Sequence, residues 1–224
     1  NVTKPCILTV GALALGALSW ISMGPTHALA APGEAPRLVL LVAVDQMRYD
    51  YLPRFADAFT GGFRRLNRAG AVFTNAHLDH YPSVTAVGHS AMLTGARPSV
   101  SGIVGNDWYD RDLKRSVTSV EDPGTRLIAA DDAPGASPHR LRVSTVGDEL
   151  KMAHPGSRVV SLSHKDRSAI LMGGRMADLA LWWDTKTGAF VSSTWYAPAL
   201  PQWAADFNAG RPADAWLGRE WRAA

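Results

Sequence analysis

HLDHYPSVTAVGHSAMLTGARPSVSGIVGNDW, residues 77–108, sets hydroxyls, histidines and glycines around a short apolar run, SAML, that opens like a helix. The spacing predicts a helix from about Ala86 to Leu93, with Thr85 at its N-terminus. Unpaired backbone N–H groups and the positive end of the helix dipole favour an anion at such a place. A threonine hydroxyl there is either a plain N-cap or a nucleophile facing phosphate, and the stretch alone favours the cap. The glycine-flanked turn Gly102–Asp107 presents Asn106, as an amide donor to an oxyanion or as a residue that tolerates a left-handed turn. His77, Asp79, His80 and His89 have the residue types of a metal site. On a strand, however, His77 and Asp79 share one face and His80 opposes them, so this cluster reads as structural or supporting.

Working outward toward the N-terminus, RLVLLVAV (37–44) is a continuous apolar, β-branched run that predicts a central parallel strand buried on both faces. Asp45 follows at its carboxyl end, where open α/β sheets place ligands, and is equally readable as a metal ligand or a strand-end cap. Thr60-Gly61-Gly62 introduces FRRLNRAG, an amphipathic helix closed by Gly70, and AVFTNAH (71–77) reads as the next strand of a right-handed β-α-β unit.

Working the other way, residues 109–142 are polar and rich in Asp, Arg, Pro and Gly, a surface excursion with room for a small hairpin. A helix from about Ser144 to Met152 and a buried strand, SRVVSLS (157–163), follow. Lys165 and Arg167 come directly after that strand. If it runs parallel to the first, they share an edge with Asp45 and suit a phosphate, Lys as a compact charge and Arg as a bidentate fork. Read alone, they are solvated loop charges. DLALWWD (178–184) and AFVSSTWY (190–196) predict two strands joined by the turn Thr185–Gly188, and PALPQWAADFNAG a short helix. No internal repeat is visible. The sum is an α/β fold, a mostly parallel sheet flanked by helices and incomplete at its C-terminal end.

At 46% hydrophobic and 19% charged residues, the 224-residue chain has the composition of a globular protein with a buried core. Its formal net charge of +3 is small and no basic run stands out, which argues against a nucleic-acid partner and suits small anionic substrates. Residues 1–30 combine Lys4, a long apolar stretch and His27-Ala28-Leu29-Ala30. That is the pattern of a secretory signal peptide cleaved after Ala30, leaving 31–224 as the catalytic part in a periplasmic or secreted location. An uncleaved anchor is the alternative, although no stable membrane anchor is expected. Cys6 falls within this leader, so the mature chain would hold neither disulfides nor thiolate ligands.

VAVDQMRYDYL, GGFRRLNRAGAVFTNAHLDHYPSVTAVGHSAMLTG, PSVSGIVGNDWYDR and SHKDRSAILMGGR together resemble the alkaline phosphatase superfamily. The similarity lies with its type I phosphodiesterase/nucleotide pyrophosphatase-like branch, and there with bacterial periplasmic alkaline phosphatases that use Thr, Asn, Lys and Arg. The resemblance implies that Asp45 binds one zinc ion and that Thr85 is the nucleophile, contacting the other zinc and becoming phosphorylated. It implies that Asn106 contacts a non-bridging phosphoryl oxygen, and that Lys165 and Arg167 hold the remaining charged oxygens. The expected activity is hydrolysis of small phosphate monoesters through a phosphothreonine intermediate, with two Zn2+ ions as cofactor. The family takes most of its Asp and His zinc ligands from later in a longer chain, and no such motif follows Arg167. The sequence therefore reads as an N-terminal fragment that alone binds zinc weakly and has little or no activity. A phosphodiesterase or nucleotide pyrophosphatase is the first alternative, and a non-catalytic secreted binding domain the second. The oligomeric state is not legible.

Overall fold

The computed structural model describes residues 36–130 and 134–222, so the expected leader and Cys6 lie outside the described residues. The chain divides after Val42 into two units. In the first, the described residues form no strand, and Leu38, Val39 and Leu40 are exposed. The strand expected over 37–44 is not formed. A run apolar on both faces holds as a strand only with neighbours to complete its ladder and cover it, and among the described residues no pairing involves it.

In the second unit, two short helices, Tyr51–Arg54 (α1) and Gly62–Ala69 (α2), come first. The strand expected at 71–77 is also absent, with Val72 and Phe73 exposed. Thr85–Thr94 (α3) is built from small residues and closed by Gly95, whose left-handed φ of +63° lets its N–H return to Ala91 O. Pro98–Ser101 (α4) leads through Gly102 (φ +80°) to a hairpin of Asp107–Asp110 (β1) and Arg115–Thr118 (β2). Glu121–Ile128 (β3) and Pro134–Ala136 (β4) form a second, irregular antiparallel pair.

Thr145 and Asp148 form a reciprocal capping box at the start of Val146–Ala153 (α5). Val160–Ser163 (β5), Asp166–Gly173 (α6) and Leu179–Asp184 (β6) make a β-α-β unit with β5 and β6 parallel. A tight turn at Gly188, with Asp184 accepting Thr187 N at 3.0 Å, folds Ala189–Ser193 (β7) back against β6. Gln202–Ala209 (α7) follows.

The larger sheet runs β4-β3-β7-β6-β5. The α/β class and the flanking helices stand as expected, but the sheet is not mostly parallel among the described residues. Only β5 and β6 pair in parallel, because only they are joined by a crossover helix, whereas short connections force antiparallel neighbours at β6–β7 and β3–β4. Ala86, Ile103, Leu141, Ala169, Ile170, Trp182 and Val191 share the main core, which packs α3 against α6 and α6 against β5 and β6.

Candidate active site

Thr85 is the first residue of α3, not its cap. The N-cap is Val84, which has no side-chain acceptor, and the Thr85 hydroxyl instead donates to Asp45 Oδ2 at 3.0 Å. The helix terminus is served from elsewhere: Ala86 N donates to Asn106 Oδ1 at 2.9 Å. That bond turns Oδ1 toward the helix and leaves both Nδ2 donors for another partner. Its backbone is also tied, since Ser119 N donates to Asn106 O at 2.9 Å. His89, nearly buried one turn along α3, sets Nδ1 2.8 Å from Thr85 O, which requires the proton on Nδ1.

Lys165 occupies the N-cap position of α6, two residues after the carboxyl end of β5. Its Nζ lies 3.4 Å from the Asp45 oxygen that Thr85 uses. Two helix N-termini thus converge on one carboxylate. Burial opposes ionisation of Asp45, but the hydrogen bonds from Thr85 and Lys165 outweigh it and hold the carboxyl below the ordinary carboxylate range. Arg167, the second residue of α6, keeps to its own helix, with Nε 3.6 Å from Asp166 Oδ1. Among the described residues, no hydrogen bond or ion pair joins it to the other four.

Of the histidine cluster, His80 stays beside Asp79 with Nδ1 3.8 Å from Oδ1, and the others separate. His77 pairs with Asn75, Asp79 accepts from Arg97 Nε at 2.8 Å, and His89 serves Thr85. Ser137, His139 and Asp122 do meet, but Ser137 is fully buried and donates directly to Asp122, with both on the Nδ1 side of His139. That is a structural lock rather than a nucleophile relay.

Asp45 and Thr85 bring a carboxylate and a hydroxyl oxygen together, donors that fit a hard or borderline cation. They are two ligands of the four that a zinc ion takes, and among the described residues no group of three His, Cys, Asp or Glu comes together.

Sequence reasoning missed α6 and the long-range cap from Asn106. The helix had a signal, an acidic residue at its first position and Gly173-Gly174 beyond the apolar run. The cap had none, because it spans twenty residues.

The type I phosphodiesterase / nucleotide pyrophosphatase family matches residues 39–221. The chain belongs to this family. Within it, the chain is 44% identical to the alkaline phosphatase PhoV of Synechococcus elongatus over 83% of this chain and 34% of that enzyme. It is 42% identical to the alkaline phosphatase PafA of Elizabethkingia meningoseptica, over 77% and 32%. A crystal structure of PafA superposes with a TM-score of 0.76 at 40% identity, covering 80% of this chain and 35% of that one. The chain spans about a third of the length of these relatives. Another matching structure is a PafA variant with a threonine changed to serine and an asparagine, a lysine and an arginine changed to alanine. The first two are spaced as Thr85 and Asn106 are, and the last two as Lys165 and Arg167 are.

Proposed function

We propose that the full-length protein hydrolyses small phosphate monoesters by zinc-dependent phosphoryl transfer to Thr85, followed by hydrolysis of the phosphothreonine. The observation that carries this reading is the Thr85 hydroxyl itself: freed from capping, it donates to the one carboxylate oxygen that Lys165 also reaches. Its relatives' names and the residues altered in the PafA variant support it.

A threonine hydroxyl is barely ionised at neutral pH. Asp45 and Thr85 would hold part of a zinc ion's coordination, and that ion would supply Lewis acidity toward the hydroxyl and the departing oxygen. Asp45 Oδ2 fixes the direction of Oγ1 by accepting its hydrogen bond in the resting state. As the Oγ1–P bond forms, the ester P–O bond breaks, Thr85 gives up its proton to water and the alcohol leaves with a proton taken from water. A water oxygen then attacks phosphorus, releasing phosphate and returning the proton to Thr85. Charge spreads over the equatorial oxygens in both steps, where Asn106 Nδ2, Lys165 Nζ and the Arg167 guanidinium act as donors.

A monoester carries about two negative charges near neutral pH and a diester about one. The two cations Lys165 and Arg167 therefore favour the monoester, although the family's description names diesterases. Residues 1–30 support export to the periplasm or beyond, and the small net charge supports a small phosphate ester rather than nucleic acid as partner. The test is hydrolysis of p-nitrophenyl phosphate against bis-p-nitrophenyl phosphate by the full-length protein with zinc supplied, beside Thr85→Ala. Monoester preference that vanishes with Thr85 supports the reading. Activity that survives Thr85→Ala overturns it.

A further inference from the structure

We infer that the segment His139–Arg142 is a positioning element that sets Asn106 against Lys165 and Arg167, with Arg140 and Arg175 as its two grips. The inference rests on the reading of Asn106 as a phosphoryl-oxygen donor.

The segment grips the Asn106 loop at both ends. On the near side, Arg142 N donates to Ser101 O at 2.9 Å. Gly102 turns there at φ +80°, so close that a Cβ would come 3.1 Å from Arg140 O. On the far side the Arg140 guanidinium stands 5.7 Å from the Trp108 ring centroid. It lies 3.8 Å from both Asp110 on β1 and Glu121 on β3. Glu121 in turn pairs with Arg115 of β2 at 2.7 Å and accepts from Thr118 N. One arginine therefore ties the whole β1–β2 hairpin to β3, and the hairpin supplies Ser119 N to Asn106 O.

The other grip belongs to α6. Arg175, directly after the Gly174 cap of that helix, donates from Nε to Leu141 O at 3.1 Å and from Nη2 to His139 O at 3.1 Å. Between these grips Leu141 is fully buried in the core shared with Ile103, Ala86 and Ile170. The loop that carries Asn106 and the helix that begins with Lys165 and Arg167 are therefore both fastened to the same four residues. Arg140 lines a cleft with its side chain only 15% exposed, and glutamine keeps a polar group there while removing the charge.

Arg140→Gln tests this in two ways. By amide hydrogen exchange, the Ala86 and Ser119 N–H groups, both bonded to Asn106, exchange about tenfold faster or more, while Ala169 N on α6 stays protected. In p-nitrophenyl phosphate hydrolysis by the full-length protein with zinc, Arg140→Gln lowers kcat/KM about tenfold in the wild-type background and less than twofold in Asn106→Ala, because its effect passes through that side chain. Equal losses in both backgrounds, or wild-type exchange at both amides, overturn the inference. If the full-length wild type hydrolyses neither monoester nor diester, the proposed function fails instead, and the exchange measurement alone decides the clamp. Should Arg140→Gln not fold, Trp108→Phe weakens the same stack. A rise in Ala86 and Ser119 exchange of about threefold supports the clamp, and no rise refutes it.

Discussion

Thr85 Oγ1 lies 3.0 Å from Asp45 Oδ2, across forty residues of sequence, in place of the local cap that a hydroxyl at a helix start ordinarily makes. Thr85→Val keeps the shape and removes the hydroxyl. Loss of a true cap would cost about 1 kcal/mol of stability. The expected outcome is a stability change below about 0.5 kcal/mol by urea unfolding, with p-nitrophenyl phosphate turnover down about a thousandfold or more.

Asn106 has two jobs, and two substitutions separate them. Asn106→Asp keeps an acceptor for Ala86 N but places a negative charge where the phosphoryl oxygens would sit. Asn106→Ala leaves that N–H without its partner, at roughly 1 kcal/mol. Alanine should therefore be the less stable variant and aspartate the less active one, which thermal melts and initial rates on the same preparations will check.

Lys165→Ala removes one of the two cations expected to match a doubly charged ester. Monoester kcat/KM should fall roughly 10- to 100-fold, and diester hydrolysis by less than about threefold. Equal losses on both substrates would mean that Lys165 acts through Asp45, which it contacts at 3.4 Å, rather than on the substrate.

Asp178 gives the fold an acid limit. Burial works against its ionisation, but Lys151 at 2.8 Å, Val159 N at 2.8 Å and Arg158 at 2.9 Å prevail and bring its pKa from 3.8 to about 2. A carboxyl more acidic when folded than unfolded contributes its full stability above the unfolded value and loses it as pH falls toward the folded one. The contribution is roughly 2 kcal/mol, lost between about pH 4 and pH 2. Melting temperatures of wild type and Asp178→Asn should converge across that interval.

Gly174→Ala should destabilise the protein by roughly 2–4 kcal/mol in denaturant unfolding. The residue sits at φ +79°, and a Cβ would strike Asp148 Oδ2 at 2.5 Å as well as Thr145 Oγ1, breaking the α5 capping box.

Local patterns were legible where residues answer to near neighbours. The spacing behind α3, the Thr145 start of α5 and the paired runs of β6 and β7 all stand close to where periodicity and caps put them. β3 was hidden because EDPGTRLI carries Pro123 and Gly124, which argue against a strand, yet the register shift between Glu121 and Arg126 lets them pass. The run at 37–44 misled for the opposite reason, since apolarity reports a demand for cover and not its supply. At the site, hydrogen bonds link Thr85 and Lys165 to Asp45 and Asn106 to the start of α3. Arg167 is held by Asp166, an ion pair with a sequence neighbour that spacing alone does not reveal.

β5 closes the five-stranded sheet at one end, with Val160 and Leu162 exposed beside backbone groups that have no ladder partner among the described residues. An apolar edge of that kind accepts any extended segment that reaches it, including the same strand of another molecule. Concentrating the chain should therefore promote pairing at this edge, and Leu162→Lys on β5 should suppress that pairing in sedimentation.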